Sequence, residues 1–151
     1  MMSDFRILVL EDDEGLLGLL RDVLEEEGFT VDACSRSDQA IRLARANSYD
    51  LMVADVRMEG LDGLSALSQV QSYQPDVSGL VVSGYADPVQ EGRAGRLGIG
   101  ELLKKPFELD SFLARVNEIL HERASRLERR RAFDSLLDSC RWSNTQLGRL
   151  L

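Results

Sequence analysis

Residues 7–14 read ILVLEDDE, and in this segment four apolar residues are followed directly by four acidic ones. An uninterrupted apolar run of this kind is typical of a strand that is covered on both faces. The carboxylates that follow it repel one another, by on the order of 3 kcal/mol for a pair about 5 Å apart in an effective dielectric of about 20. The sequence therefore predicts a buried strand at residues 5–10, whose acidic end either spreads into water or surrounds a positive charge.

Outward from this strand, the first 120 residues alternate short apolar runs with longer amphipathic ones. Further strands are predicted at 29–34, 50–55, 78–84 and 98–103. Helices are predicted at 14–27, from an N-cap at Ser37, at 63–72, from Asp87-Pro88 to about Leu97, and from Leu109 to beyond Leu120. Apolar strands that alternate with amphipathic helices form a parallel sheet covered on both faces. The predicted fold class is therefore α/β, a doubly wound five-stranded parallel sheet with five helices.

Length and composition set limits on the class of protein. The chain has 151 residues, which is enough for one domain and an appendage. It contains no apolar run of about 18 residues that could cross a membrane, and acids interrupt its N-terminal apolar stretch, unlike a secretory signal. Its two cysteines, Cys34 and Cys140, match no metal-binding spacing. We expect a reduced, cytoplasmic protein without a membrane segment.

The net charge of −8 is distributed unevenly. Residues 1–120 carry 22 acidic and 11 basic residues, whereas residues 121–151 carry 4 acidic and 7 basic ones. The acidic first part argues against nonspecific nucleic-acid binding. The basic run Arg129-Arg130-Arg131 is interpreted as a solvated helical face, so direct nucleic-acid binding is not expected.

Chemically active residues follow the carboxyl ends of the predicted strands, where sites of doubly wound sheets lie. They are Glu11-Asp12-Asp13 after strand one, Asp55 at the end of strand three, Ser83 at the end of strand four and Lys104-Lys105 after strand five. Carboxylates that face one another form a hard-oxygen site for Mg²⁺. One carboxylate could then act as a nucleophile toward phosphorus, while the hydroxyl and the ammonium hold the phosphoryl oxygens.

The order and spacing of four motifs resemble those of a response-regulator receiver domain over residues 4–120. The motifs are ILVLEDDE (7–14), DLMVADVRMEGLDG (50–63), VVSGYAD (81–87) and LLKKPF (102–107). The resemblance implies a flavodoxin-like sheet of strand order 2-1-3-4-5 and a phosphoryl group received from a sensor histidine kinase or phosphotransfer protein. It implies a phosphoacceptor rather than an enzyme, which signals through the face formed by helix four, strand five and helix five.

The resemblance also implies a role for each matching residue around the metal ion. Asp12 would bind Mg²⁺ directly, Glu11 would bind it through water, and the backbone carbonyl of Arg57 would be a further ligand. Asp13 falls one place late, so it is interpreted as a fringe acid or the cap of the next helix, with the metal shell as the remaining alternative.

The same resemblance assigns the residues that handle the phosphoryl group. Asp55 matches the phosphorylated aspartate, Lys105 the lysine that contacts phosphate, and Ser83 the hydroxyl residue that moves toward it. The family usually has a cis peptide bond at the position before Pro106.

Two departures from the family pattern concern switching and rates. Leu102 stands where the family often has the aromatic residue whose rotamer follows the hydroxyl residue, so the switching step differs here. The loop Met58-Glu59-Gly60 lacks the family's proline and is expected to be freer, with altered rates of phosphoryl gain and loss.

Two other classes of protein share the aspartate nucleophile or the fold predicted here. A Mg²⁺-dependent phosphatase of the haloacid dehalogenase type would need Asp-x-Asp on the first strand followed by a suitable hydroxyl, which LEDDE does not supply. A flavin-binding protein of the same fold would need a hydroxyl- and glycine-rich loop after strand one, where this chain has acids.

Residues 121–151 are predicted to form a helical tail that serves as a linker, a dimerisation element or the start of a missing output region. Leu113, Leu120 and Leu127 recur every seven residues, which predicts that helix five continues to about Arg131 and places the arginines near a helix C-terminus. A second apolar stripe follows at Phe133, Leu136, Leu137 and Cys140. It is expected to be covered by the first domain, a missing domain or, preferably, a second copy of the chain.

Overall fold

The computed structural model describes residues 4–58, 61–84, 88–96 and 102–150, with the side chains of 88–91 and 142–150 left out. Five parallel strands form one sheet in the order β2-β1-β3-β4-β5. Their bounds are Arg6–Leu10 (β1), Thr30–Cys34 (β2), Leu51–Asp55 (β3), Ser78–Ser83 (β4) and Leu102–Lys104 (β5). The predicted fold class and strand order are confirmed.

Five helices alternate with the strands. They are Glu14–Glu26 (α1), Ser37–Ala46 (α2), Gly63–Tyr73 (α3), Pro88–Arg96 (α4) and Leu109–Leu150 (α5). The first of them ends as the sequence predicts, because Gly28 adopts a positive φ of 96°, which glycine tolerates best.

The apolar strands are buried because helices cover both faces of the sheet. Side chains that alternate along a strand point to opposite faces, so Ile7 and Val9 lie in one cluster and Leu8 and Leu10 in the other. The first cluster is completed by residues of α1 and α5, and the second by residues of α2, α3 and α4. In a doubly wound sheet of this kind, sites lie outside the carboxyl ends of the strands.

Ser37 is not the N-cap of α2, so that prediction is wrong. Arg36 occupies the cap position in an extended conformation and makes no side-chain capping bond, and Ser37 is the first helical residue. The Ser37 hydroxyl instead donates a hydrogen bond to the carbonyl oxygen of Leu61 at 2.5 Å. The hydroxyl is therefore used to join α2 to the loop before α3.

The last helix does not end near Arg131, and this prediction is also wrong. It continues to Leu150, so Arg129, Arg130 and Arg131 lie inside a helix. The reason is that no proline or glycine occurs from Phe107 to Leu147, and nothing in this segment stops a helix. By its contacts the chain divides into two units, residues 1–120 and 121–151, and α5 contributes to both.

Some sequence predictions cannot be compared with the structure. The proposed cap Asp87, the strand residues 98–101, and the loop residues Glu59 and Gly60 lie outside the described residues. None of the helices in the described part of the chain combines the length and apolar character needed to cross a bilayer.

Candidate functional site

Backbone pairing beyond the strand ends brings the predicted site residues to one edge of the sheet. The amide of Glu11 donates to the carbonyl oxygen of Cys34 at 3.1 Å, so the β1–β2 ladder extends by one residue. On the other side of the sheet, the amide of Lys105 donates to the carbonyl oxygen of Ser83 at 2.7 Å. Asp55 is the last residue of β3, between these two pairs. The sheet therefore fixes the backbone from which all these side chains extend.

Three carboxylates meet at this edge. Glu11, Asp12 and Asp55 each place an oxygen so that the three atoms lie within 4.8 Å of one another. Glu11 and Asp55 are only 2% and 5% exposed, whereas Asp12 is exposed to solvent. A cluster with two buried members and one open member can bind a hydrated cation from one side.

Asp13 has a different task from its two neighbours. It is the N-cap of α1, and its Oδ1 accepts a hydrogen bond from the amide of Leu16 at 3.1 Å. Such a cap satisfies a helix-terminal amide that otherwise has no partner in the helix. The capping alternative for Asp13 is thus the one that the structure displays.

Lys105 supplies the positive charge of the site. Its Nζ lies 3.3 Å from Oε2 of Glu11 and 3.4 Å from Oδ2 of Asp55. The other oxygen of Asp55, Oδ1, accepts a hydrogen bond from the amide of Arg57 at 3.2 Å. Both oxygens of Asp55 are therefore oriented, one by an ammonium and one by the backbone. The peptide bond between Lys105 and Pro106 is cis, as the resemblance implies.

The pKa of Glu11 is raised from 4.5 to about 7, first by burial of its carboxylate and second by the negative charge of Asp55. Lys105 and the amide of Asp13 oppose this rise without cancelling it. The site thus holds more negative charge than its own lysine neutralises, which is the condition under which a divalent cation is favoured.

We expect Glu11→Gln to stabilise the protein at pH 8 in EDTA, by at most about 3 kcal/mol. The folded protein binds the Glu11 proton more tightly than the unfolded chain, so wild-type stability falls as pH rises from 4.5 to about 7. Glutamine removes this loss, and the difference between the two proteins should fall below about 1 kcal/mol at pH 5. Urea unfolding at both pH values measures the difference. Glu14→Gln, which changes an exposed acid of α1, is the matched control; an equal gap at both pH values would contradict the assignment.

The donor set fits Mg²⁺. Three carboxylates face one ammonium group, so a divalent cation would balance the formal charge. All available ligand atoms are oxygens, which Mg²⁺ prefers, and the exposed side of Asp12 leaves room for the waters that Mg²⁺ usually retains. Asp12, Glu11 and Asp55 are the residues that would hold it.

The hydroxyl and switch positions lie on the neighbouring strands. Ser83 is buried at the end of β4 and is paired in register with Lys104. Leu102 begins β5 opposite Val81 and packs as a partly buried residue against the cluster formed with α2, α3 and α4. The position that often carries a movable aromatic residue therefore has a partly buried aliphatic side chain that packs against the core here.

Sequence reasoning missed the way in which α3 contacts the phosphoacceptor strand. A Cβ atom on Gly63, the first residue of α3, would lie 1.8 Å from the carbonyl oxygen of Asp55. Asp62 caps the same helix, with its Oδ1 accepting from the amide of Ser65 at 2.8 Å. The Asp-Gly pair before an apolar run signals a helix start, but sequence gives no sign of this close backbone approach.

Comparisons of the sequence and the fold with known proteins identify the family of this chain. The sequence profile of the response regulator receiver domain family matches residues 7–117. Response regulator MprA of Mycobacterium ulcerans is 36% identical over 132 residues, which are 87% of this chain and 56% of MprA. Transcriptional regulatory protein GlrR of Escherichia coli is 26% identical over 124 residues, which are 82% of this chain and 28% of GlrR. The chain thus spans about a quarter to just over half of these relatives.

A solved structure shows the same fold. The crystal structure of a CheY-like response regulator receiver domain protein from Methanospirillum hungatei aligns with a TM-score of 0.78 at 22% identity, covering 81% of this chain and 98% of that one. These comparisons support neither the phosphatase nor the flavin-binding alternative. Because the family profile extends over most of the chain and the sheet has the family's strand order, the chain belongs to the receiver domains of two-component response regulators.

Proposed function

We propose that Asp55 is the phosphoacceptor, and that it receives its phosphoryl group from a sensor histidine kinase or a phosphotransfer protein. The observation that supports this role best is the position of its carboxylate. One oxygen accepts from the Arg57 amide, the other lies beside Lys105, and both belong to a cluster with Glu11 and Asp12. No other acid among the described residues combines burial at a strand end with these partners.

The transfer is a displacement at phosphorus. An oxygen of Asp55 forms a bond to phosphorus, while the bond from phosphorus to the donor's histidine nitrogen breaks, and the imidazole keeps the electron pair and takes up a proton. Lys105 neutralises charge on the phosphoryl oxygens, and the Ser83 hydroxyl binds one of them. The chain acts as a phosphoacceptor that assists its own phosphorylation and dephosphorylation, rather than as an enzyme on a separate substrate.

Mg²⁺ is the proposed cofactor. Asp12 would bind it directly and Glu11 through water, and Asp55 and the carbonyl oxygen of Arg57 would complete the protein ligands. When bound, it offsets the negative charges of the carboxylates and of the phosphoryl oxygens. The capping bond of Asp13 supports leaving this residue out of the metal shell.

The output is a change of partner or of self-association through the face of α4, β5 and α5. We place the protein in the cytoplasm, because Cys34 and Cys140 are free thiols. Residues 1–120 carry 22 acidic and 11 basic residues, and this excess of negative charge disfavours nucleic-acid binding by this part of the chain.

Incubation with a small phosphodonor tests the proposal. With Mg²⁺, intact-mass spectrometry should show one phosphoryl group per chain, and EDTA should prevent its addition. The same sample should not hydrolyse a generic phosphate ester. Continuous ester turnover without a labelled intermediate at Asp55 would favour the phosphatase instead.

We expect Asp12→Asn to weaken Mg²⁺ binding by about 10-fold or more, because even indirect supports of a metal ligand contribute that much. Asp13→Asn is the matched control, since asparagine also caps helices and only the charge is lost. Mg²⁺ titrations followed by a spectroscopic signal compare the two. A larger effect of Asp13→Asn would show that the assignment is one residue out of register.

For the second unit we propose self-association. Phe133, Leu136 and Leu137 lie on one helical face and are 60%, 66% and 43% exposed. A cluster of large apolar side chains in water is unfavourable, and a second copy of the same face would bury it. The occupant that we propose is therefore another copy of this chain.

We expect the full chain to be a dimer at micromolar concentrations, and the double variant Phe133→Gln, Leu136→Gln to be monomeric. Light scattering after size exclusion gives the mass, and a chain lacking residues 122–151 should also be monomeric. Leu19→Gln is the control, because Leu19 is an exposed leucine of α1 at 46%. A wild-type monomer would contradict self-association through this face.

A further inference from the structure

One ion pair joins α4 to the N-terminus of α3. The guanidinium of Arg93 donates through Nη1 to Oδ2 of Asp62 at 2.6 Å and through Nη2 to the hydroxyl of Ser65. The side chains of Arg93 and Asp62 are 29% and 32% exposed. A forked contact of this kind fixes direction as well as distance, which a lysine at the same place could not do.

Both carboxylate oxygens of Asp62 accept hydrogen bonds. Its Oδ1 caps α3 through the amide of Ser65, while its Oδ2 receives Arg93. Burial alone would raise the pKa of Asp62, but the hydrogen bonds from Arg93 and Ser65 and the charge of Arg93 outweigh it, and the pKa is lowered. The contact with Arg93 therefore stabilises the ionised cap.

Gly63, which follows Asp62 and is the first residue of α3, contacts the backbone of Asp55. Gly63 approaches the carbonyl oxygen of Asp55 so closely that a Cβ would lie 1.8 Å from it, and its amide donates to the carbonyl oxygen of Val56 at 3.4 Å. A displacement of the α3 N-terminus thus displaces the backbone that carries Asp55. Contacts run without a gap from α4 through Arg93 and Asp62 to Asp55.

We propose that Arg93 is a positioning residue that couples α4 to the phosphoacceptor Asp55 through the capped N-terminus of α3. The inference rests on the proposed function of Asp55 and adds a route that does not use residue 102. That route matters in this chain, because Leu102 is a partly buried aliphatic residue packed against the core and offers no aromatic rotamer to move. Coupling between two sites is reciprocal, so phosphoryl binding alters α4 and the position of α4 alters phosphoryl binding.

Amide hydrogen exchange of the full chain tests this coupling, with beryllium fluoride and Mg²⁺ as the phosphoryl mimic. In the wild type, the mimic should change exchange at the site, in peptides covering residues 11–13 and 55–58, and also in α4. In Arg93→Ala the site response should remain, while the response of α4 should fall to less than half. Asp62→Asn should behave like Arg93→Ala, because it keeps the cap and removes the charge.

Two controls separate coupling from general loosening of α4. Arg96→Ala removes an exposed arginine of the same helix and should respond like the wild type. Arg93→Lys, which keeps charge without the fork, should restore only part of the response. An α4 response in Arg93→Ala and Asp62→Asn equal to that of the wild type would overturn the coupling alone. A wild type without any response at residues 11–13 and 55–58 would instead overturn the role of Asp55, and the coupling with it.

Discussion

Asp55→Asn is expected to lose all incorporation of phosphate from a small phosphodonor in the presence of Mg²⁺. The change is nearly isosteric, and the single amide oxygen of asparagine can keep one of the two contacts of Asp55, that with the Arg57 amide or that with the Lys105 ammonium. An amide oxygen is a poor nucleophile, and asparagine has no carboxylate from which an acyl phosphate could form. Intact-mass and peptide mass spectrometry measure the label and its position.

Asp50→Asn is the matched control for this result. Asp50 precedes β3 at its opposite end, where its Oδ2 accepts a hydrogen bond from the amide of Arg6 at 2.8 Å. It is an acid next to the same strand and far from the cluster of Glu11, Asp12 and Asp55, so its variant should be labelled like the wild type. Labelling of Asp55→Asn at Glu11 or Asp12 would show that the nucleophile has been assigned to the wrong carboxylate.

The sequence predicted the sheet well because its strands are covered on both faces. The fully apolar cores of β1 and β3 leave no other arrangement that buries them, and the helices between them then dictate parallel pairing. The positions of the acids after β1 follow from the pairing of this strand. Because the β1–β2 ladder extends to Glu11, Asp12 is the next residue to turn toward the site, and Asp13 is the N-cap of α1.

Features that depend on packing between distant segments could not be predicted. Arg93 and Asp62 are 31 positions apart, and neither shows a local pattern that would pair them. Ser37 was expected to be a cap because a hydroxyl before a helix is often one, but Ser37 lies inside α2 and its hydroxyl donates to the carbonyl oxygen of Leu61. The end of the tail helix was misjudged because a change in the apolar stripe after Arg131 was read as a boundary, although no residue there disfavours a helix.

Gly63→Ala is expected to lower the free energy of unfolding by about 3 kcal/mol and to slow phosphorylation of the variant that still folds. Near the start of a helix, alanine would ordinarily be favoured over glycine, by up to about 1 kcal/mol. Here the added Cβ would lie 1.8 Å from the carbonyl oxygen of Asp55 and 2.6 Å from its carbonyl carbon. Because these are backbone atoms of a central strand, either α3 or β3 must shift, and with it the carboxylate of Asp55.

Gly79→Ala adds the same methyl group to the same domain but meets a side chain. Its Cβ would lie 2.5 Å from Cδ2 of Leu67, which can change rotamer, so we expect a loss of about 1 kcal/mol and a phosphorylation rate close to that of the wild type. Urea unfolding and the rate of labelling by a small phosphodonor compare the two variants. Equal losses of stability would mean that α3 can retreat from β3 at little cost. Unchanged labelling of a destabilised Gly63→Ala would mean that the α3 N-terminus does not position Asp55, and the route from Arg93 to the site would then lose its last step.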